Sequence, residues 1–150
     1  MNEVVEGVRT TPAAAELART HGVYMPIVDT ISDLLLGTTD PEEAIHSLMT
    51  KQLKDADVVV LAYPMYNFSF PAIVKAWFDS VMLKGETWDM DENGFKGLLT
   101  GKKALVVTTS GGKYEGPMES YDHSSSLGKT EFGFMGFEVE AINAGGLNME

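Results

Sequence analysis

The chain contains no cysteine, which excludes disulfides, thiol nucleophiles and thiolate metal sites together and leaves the redox compartment open. Basic residues are scarce: 11 Lys and Arg stand against 22 Asp and Glu, a formal charge of −11. That balance repels nucleic-acid backbones and anionic membrane surfaces, so neither is an expected partner. It fits plain solubility, and it fits a basic protein partner. Long apolar runs are missing too. Val58 to Ala62 is strand-sized, far below the roughly 20 residues that cross a bilayer. No secretory-signal pattern opens the chain, so a cytoplasmic location is the default expectation. The three histidines, His21, His46 and His123, are scattered without carboxylates at ligand spacing, and no metal site is expected. A nucleophile elbow, a Walker loop and a Gly-x-Gly-x-x-Gly turn are all absent, and no catalytic side chain is assigned.

What remains divides near residue 51. The first stretch reads as helices only, so a helical segment is expected over 1–51 and an α/β domain over 52–150, packed as one compact unit. Thr11-Pro12 supplies a cap and a first-turn proline ahead of Ala13 to Ala18, and Gly22 stops that helix. A second helix starts near Pro26, carries Ile27, Ile31, Leu34 and Leu35 on one stripe, and closes at Gly37. A third begins with Asp40 as cap, Pro41 at the first position and Glu43 placed for a capping box.

From residue 53 strand and helix alternate. Val58 to Ala62 and Ala104 to Thr108 are continuous apolar runs of the kind found in buried parallel strands, and Phe137 to Ile142 is a third. Pro71 opens a helix bearing Ile73, Val74, Trp77, Phe78, Val81 and Met82. A loop is expected over residues 85–102, and a further helix between Glu119 and Met135. Within that loop, Trp88 to Gly94 has calcium-like oxygen spacing for a few residues but lacks the distal bidentate Glu, so a solvated loop is expected. The result is a three-stranded parallel β-α-β-α-β sheet. Right-handed crossovers put both helices on one face when strand order follows sequence. The opposite face is then bare Val, Leu and Ile, and the N-terminal helices are expected to cover it.

Two loops carry the chemistry. Ala62-Tyr63-Pro64-Met65-Tyr66-Asn67-Phe68 leaves the carboxyl end of the first strand, where open α/β sheets bind ligands. Its side chains suit a planar heterocycle and its backbone suits that ligand's polar edge, although apolar residues that are merely core at a strand end look the same. Thr108-Thr109-Ser110-Gly111-Gly112 leaves the next strand, and its small residues let backbone N–H groups approach a ligand closely. Alone it is a common turn; beside the first loop it gains meaning. Tyr121 and His123 read as surface loop residues.

The stretches Asp57 to Phe68, Trp77-Phe78-Asp79, Gly94 to Lys103, Thr109 to Gly112, Phe132 to Gly136 and Ala144 to Gly146 resemble, in collinear order, the FMN-dependent NADH-azoreductase family. The resemblance implies a partial flavodoxin-like fold and a ping-pong reductase of quinones and azo compounds. It implies FMN as cofactor, NADH or NADPH as reductant, and a homodimer whose second subunit completes the pocket. By position it assigns Pro64, Met65, Tyr66, Asn67, Phe68, Thr109, Ser110, Gly111 and Gly112 to the flavin. The family's first strand and its Ser-rich phosphate loop are not matched, and neither are its second strand and closing C-terminal helix. Where Ser110 stands, that family often has a cation. These departures imply impaired activity. They also leave an exposed sheet edge that suits a homodimer or another protein, so a non-catalytic acidic binding module or inhibitor is the alternative expectation.

Val5-Glu6-Gly7, Thr10-Thr11, Glu16-Leu17-Ala18, Gly22-Val23, Met25-Pro26-Ile27 and Asp40 to Met49 resemble something else, the C-terminal helical end of NAD(P)-dependent glycerol-3-phosphate dehydrogenase. That enzyme's catalytic lysine and nucleotide loop have no counterpart here, so Glu6 is expected to be only a helix-end residue. Two unrelated fragments meeting near Thr50-Lys51 imply a recombined or artificial chain.

Overall fold

The computed structural model describes residues 6–148; Val5, in the first of the N-terminal motifs, lies outside them. The chain forms two units, Met1–Lys51 and Gln52–Glu150.

The first unit holds α1 (Glu6–His21), α2 (Pro26–Leu36) and most of α3 (Pro41–Asp55). α1 begins before the expected Thr11-Pro12 start, and Pro12 lies inside it. The carbonyl that Pro12 cannot bond belongs to Val8, in the first turn, where the interruption does little harm. Thr11 Oγ1 bonds the Gly7 carbonyl at 2.7 Å in the same turn. α2 ends as its sequence requires, with Gly37 at φ 69° accepting the left-handed conformation that closes a helix. At α3 the Asp40 carboxylate accepts from the N–H groups of Glu42 and Glu43 at 2.9 and 3.0 Å. The expected capping box is altered, because the Glu43 carboxylate takes the Thr39 hydroxyl at 3.3 Å.

The second unit contains the sheet. β1 (Val58–Pro64), β4 (Lys103–Thr109) and β5 (Glu138–Ala144) lie side by side in the order β1-β4-β5, all parallel. Register sets Tyr63 beside Thr108 and Asn143, and Leu61 beside Val106 and Ala141. These residues share one face, because side chains of paired parallel strands alternate together. α4 (Ala72–Val81) and α5 (His123–Met135) supply the apolar residues of that covered side. Phe78, Val81, Val106, Phe132 and Met135 are fully buried, with the Phe78 and Phe132 rings edge to face at 5.2 Å. On the other face Val58 and Val60 are 57% and 61% exposed, while Lys103, Glu138 and Glu140 charge its amino end.

Two elements differ from the sequence reading. The expected loop over 85–102, including the tract read as a solvated loop, holds a hairpin of β2 (Trp88–Asp91) and β3 (Gly94–Gly97). Its tight turn forms because Asp91 Oδ1 accepts from the Asn93 N–H at 2.7 Å and Gly94 takes φ 111°. Trp88 and Phe95 then pack on Phe134 of α5 at 5.2 and 5.3 Å between ring centroids. The helix expected from Glu119 splits into a 3₁₀ segment (Gly116–Tyr121) and α5, because Asp122 caps a new helix with bonds to the N–H groups of Ser124 and Ser125, both 3.0 Å.

Candidate functional site

The two loops singled out by sequence emerge next to each other. Pro64 pairs with Thr109 at the last position of the β1–β4 register, and beyond it the Met65 N–H donates to the Thr109 carbonyl at 2.7 Å. The first loop then folds into a tight turn, with Tyr66 and Ser69 exchanging two backbone bonds of 2.8 and 3.1 Å. Inside that turn Asn67 and Phe68 both have positive φ, 48° and 68°. Asn tolerates that region; for Phe it costs roughly 1–2 kcal/mol, which the surroundings must offset. They do so at three points. The Phe68 carbonyl accepts from the His123 N–H at 3.0 Å, and the Phe68 ring meets Tyr114 at 6.2 Å and Tyr121 at 5.7 Å. The outcome is a rigid loop holding Tyr66 and Phe68 out into solvent, 60% and 45% exposed.

The second loop is held from its far side. Ser110 is buried and its hydroxyl donates to the Gly112 carbonyl at 2.9 Å, so this side chain shapes the loop from within. Residues after β5 continue the pairing: Leu147 N–H to Ser110 carbonyl, Asn148 N–H to Gly111 carbonyl, Gly146 N–H to Gly112 carbonyl, at 3.2, 3.2 and 3.0 Å. Among the described residues the N–H groups of Gly111 and Gly112 donate to no backbone carbonyl. Two half-exposed or exposed glycines thus leave a pair of donors free for a ligand's polar edge.

A polar relay joins both loops to the start of α5. Asn143 Nδ2 donates to Asp122 Oδ2 at 3.2 Å, and Asn143 Oδ1 lies 3.5 Å from Ser110 Oγ. Asp122 caps the helix whose first N–H holds Phe68. Beneath this, the Tyr63 hydroxyl donates to the Ser124 carbonyl at 3.0 Å, and burial pushes its phenol up to about 12. The Ser124 hydroxyl itself is buried without a partner. Next to the loops opens a cleft of about 690 Å³ bordered by Lys113, Tyr114, Asp122, Ser125, Lys129 and Asn143.

The structure therefore brings all nine sequence-assigned residues to one end of the sheet. Tyr114, Tyr121, Asp122 and Asn143, which the sequence reading did not assign, support them. Tyr121 was expected to be a surface loop residue; it is half exposed, yet its ring braces Phe68. The signal for Asp122 was its position before Ser-Ser-Ser, a helix cap pattern. Among the described residues no cluster could hold a metal ion.

The family model described as flavodoxin-like fold matches residues 3–149. The chain belongs to that flavodoxin-like family. The match starts early enough to take in the N-terminal helices. An FMN-dependent NADH:quinone oxidoreductase of Azotobacter vinelandii is 44% identical over 128 residues, covering 78% of this chain and 63% of the relative. One from Idiomarina loihiensis is 37% identical over 129 residues, covering 85% of this chain and 68% of the relative. Across five such relatives the matched part is only 47–63% of their own length, so the chain spans less than two thirds of them. Among solved structures, an FMN-dependent NADH-azoreductase of Bacillus anthracis in complex with FMN superposes with a TM-score of 0.66 at 25% identity, over 99% of this chain and 68% of that one. The flavodoxin-like scaffold here is that of the FMN-dependent azo- and quinone reductases.

Proposed function

We propose that residues 52–150 form the ring-binding part of an FMN-dependent NAD(P)H reductase of quinones or azo compounds. The observation that carries this reading is the bond from the Met65 N–H to the Thr109 carbonyl, which fixes the two loops side by side at the carboxyl ends of adjacent strands. The named activities of the relatives support it. These residues fit a flavin ring: an exposed aromatic and thioether wall on one side, the Gly111 and Gly112 N–H groups on the other.

A flavin bound there supplies hydride acceptance from the nicotinamide and electron delivery to the acceptor. The chain's own part is binding and orientation. Met65, Tyr66 and Phe68 exclude water from one side of the ring, and the strained turn keeps them in place without reorganisation. Gly111 and Gly112 donate to the polar edge. Ser110 brings no charge to the site, and the Gly111 and Gly112 N–H groups are neutral donors toward negative charge on the ring. β1 follows directly on α3, and no Ser-rich phosphate-binding loop stands between them. The ring loops alone then hold FMN weakly, and turnover is impaired.

Adding FMN to the purified protein tests this. Quenching of flavin fluorescence is expected, followed by bleaching of the visible spectrum when NADH is added under nitrogen. Absence of quenching at roughly tens of micromolar protein overturns it, since even a half-site should bind at about that level.

A second reading rests on β1, which among the described residues lies at the sheet's edge with no strand on its outer side and with exposed Val58 and Val60. An uncharged edge strand pairs readily with a second copy or with another protein. On this reading the chain is a homodimer or an acidic binding module. A monomer mass in light scattering counts against the homodimer, and failure to bind any basic protein counts against the module.

A further inference from the structure

Asn93-Gly94 is the chain's one Asn-Gly pair, and it stands at the tip of the β2–β3 hairpin. In such a pair the glycine's main-chain nitrogen can attack the asparagine side-chain carbonyl. No side chain shields that nitrogen, and a glycine backbone twists freely enough to close the five-membered ring. The tip leaves the attack unobstructed. Asn93 is exposed, and among the described residues its side-chain amide makes no hydrogen bond. A Cβ added at Gly94 would meet nothing within 4 Å. Other asparagines are less open to the same attack. Asn143 donates its side-chain N–H to Asp122 Oδ2, while Asn67 and Asn148 precede the bulky Phe68 and Met149.

The hairpin controls access. Gly94 closes the ladder opposite Asp91, and Asp91 Oδ1 holds the Asn93 N–H at 2.7 Å. The turn must therefore open before the main chain can twist into the ring. A two-stranded ladder of four pairs is marginal on its own. Its hold comes from α5, where Trp88 and Phe95 meet Phe134 at 5.2 and 5.3 Å, and from the Trp88 Nε1–H, which donates to the Met82 carbonyl at 3.2 Å.

We propose that Asn93 is a self-modification site whose rate is set by the hold of the hairpin on α5 and whose product loosens that hold. The Gly94 nitrogen bonds to Asn93 Cγ, the Cγ–Nδ2 bond breaks, and ammonia leaves with the proton that the Gly94 nitrogen gives up. Water then opens the cyclic imide at either carbonyl, giving Asp or isoaspartate, and no oxidation or reduction occurs. Isoaspartate adds a methylene to the main chain, so the turn cannot regain its register. The new carboxylate also joins Asp91 and Glu92 in a chain already at −11. The site lies outside the two ring loops and does not depend on the reductase reading.

The test is incubation of the full chain in mildly alkaline buffer at physiological temperature. Peptide mass spectrometry follows each asparagine, and an isoaspartyl-directed methyltransferase counts isoaspartate. Asn93 is expected to convert ahead of Asn67, Asn143 and Asn148, mostly to isoaspartate. The aged fraction, separated by its extra negative charge, should show tryptophan emission moved to longer wavelength as Trp88 meets water. Phe95→Ala should speed conversion about fivefold, the factor that one aromatic contact contributes to a local opening. Asn93→Gln should stop both the conversion and the change in emission. Circular dichroism checks that each variant is folded; should Phe95→Ala fail that check, Asp91→Ala, which frees the Asn93 N–H, should speed conversion by about the same factor. Three results overturn the proposal: an Asn93 that stays intact or converts after another asparagine while the urea-unfolded chain converts there, an unchanged rate in the folded anchor variant, or an aged fraction with unchanged emission.

Discussion

The two ends of the sheet are built for opposite purposes. At the amino end, Gly97 lies so close to α5 that a Cβ placed there would come within 2.3 Å of the Gly136 nitrogen, and Phe132, Met135, Phe137 and Leu99 are buried around it. The Leu99 N–H donates to the Met135 carbonyl there at 2.8 Å. At the carboxyl end two non-glycine residues hold positive φ and aromatic rings face water, and among the described residues two glycine N–H groups lack carbonyl partners and one buried hydroxyl has no partner. The amino end accumulates stability. The carboxyl end spends it on a fixed, accessible surface, as expected where ligands bind an open α/β sheet.

Substitutions should separate the two ends. Phe132→Ala should cost the most, about 3–5 kcal/mol, by opening a cavity among Trp77, Phe78 and Phe137. Its urea midpoint should fall while FMN affinity per folded molecule holds. Gly97→Ala should cost about 3 kcal/mol, since the atoms it meets are backbone and cannot move aside. The same pair of measurements reads it. Phe68→Gly should reverse the pattern: the strain at φ 68° is released and stability is held or raised, while FMN binding weakens about tenfold as an aromatic wall is lost.

Tyr63 joins the ends through pH. Its phenol is raised from 10.0 to about 12, so between those values the unfolded chain loses a proton that the folded chain keeps. Stability must then fall as pH rises through that window. Tyr63→Phe should remove that part of the alkaline loss and lower neutral-pH stability by about 1 kcal/mol through the missing bond to Ser124. Denaturant melts across the pH range check both. Smallest of all, Ser124→Ala should stabilise by about 1 kcal/mol or less by removing an unpartnered buried hydroxyl, with FMN affinity unchanged.

Much of this was legible in the sequence. The runs at Val58 and Ala104 gave parallel strands because β-branched residues without alternation suit a strand between two others or beneath helices. Gly37 and Asp40 gave helix ends through local chemistry alone. The Pro64 to Phe68 loop was legible because its position after a strand and its residue types agree. The hairpin at Trp88–Gly97 was not, since four-residue strands carry little periodicity and its stability comes from Phe134, distant in sequence. The positive φ of Phe68 was equally hidden, because it is imposed by Tyr114, Tyr121 and His123, all tens of residues away. Asn143 gave no signal either; its role exists only once β5 lies beside the Ser110 loop.

The central claim is that the two loops at the carboxyl ends of β1 and β4 are one ligand site for a flavin ring. Titrating FMN into isotope-labelled protein and following every backbone amide tests it most directly. Saturable shifts concentrated at Met65 to Phe68 and Thr109 to Gly112 are expected. Shifts confined to Val58 and Val60 on the other face of the sheet, or no shifts at all, would contradict it.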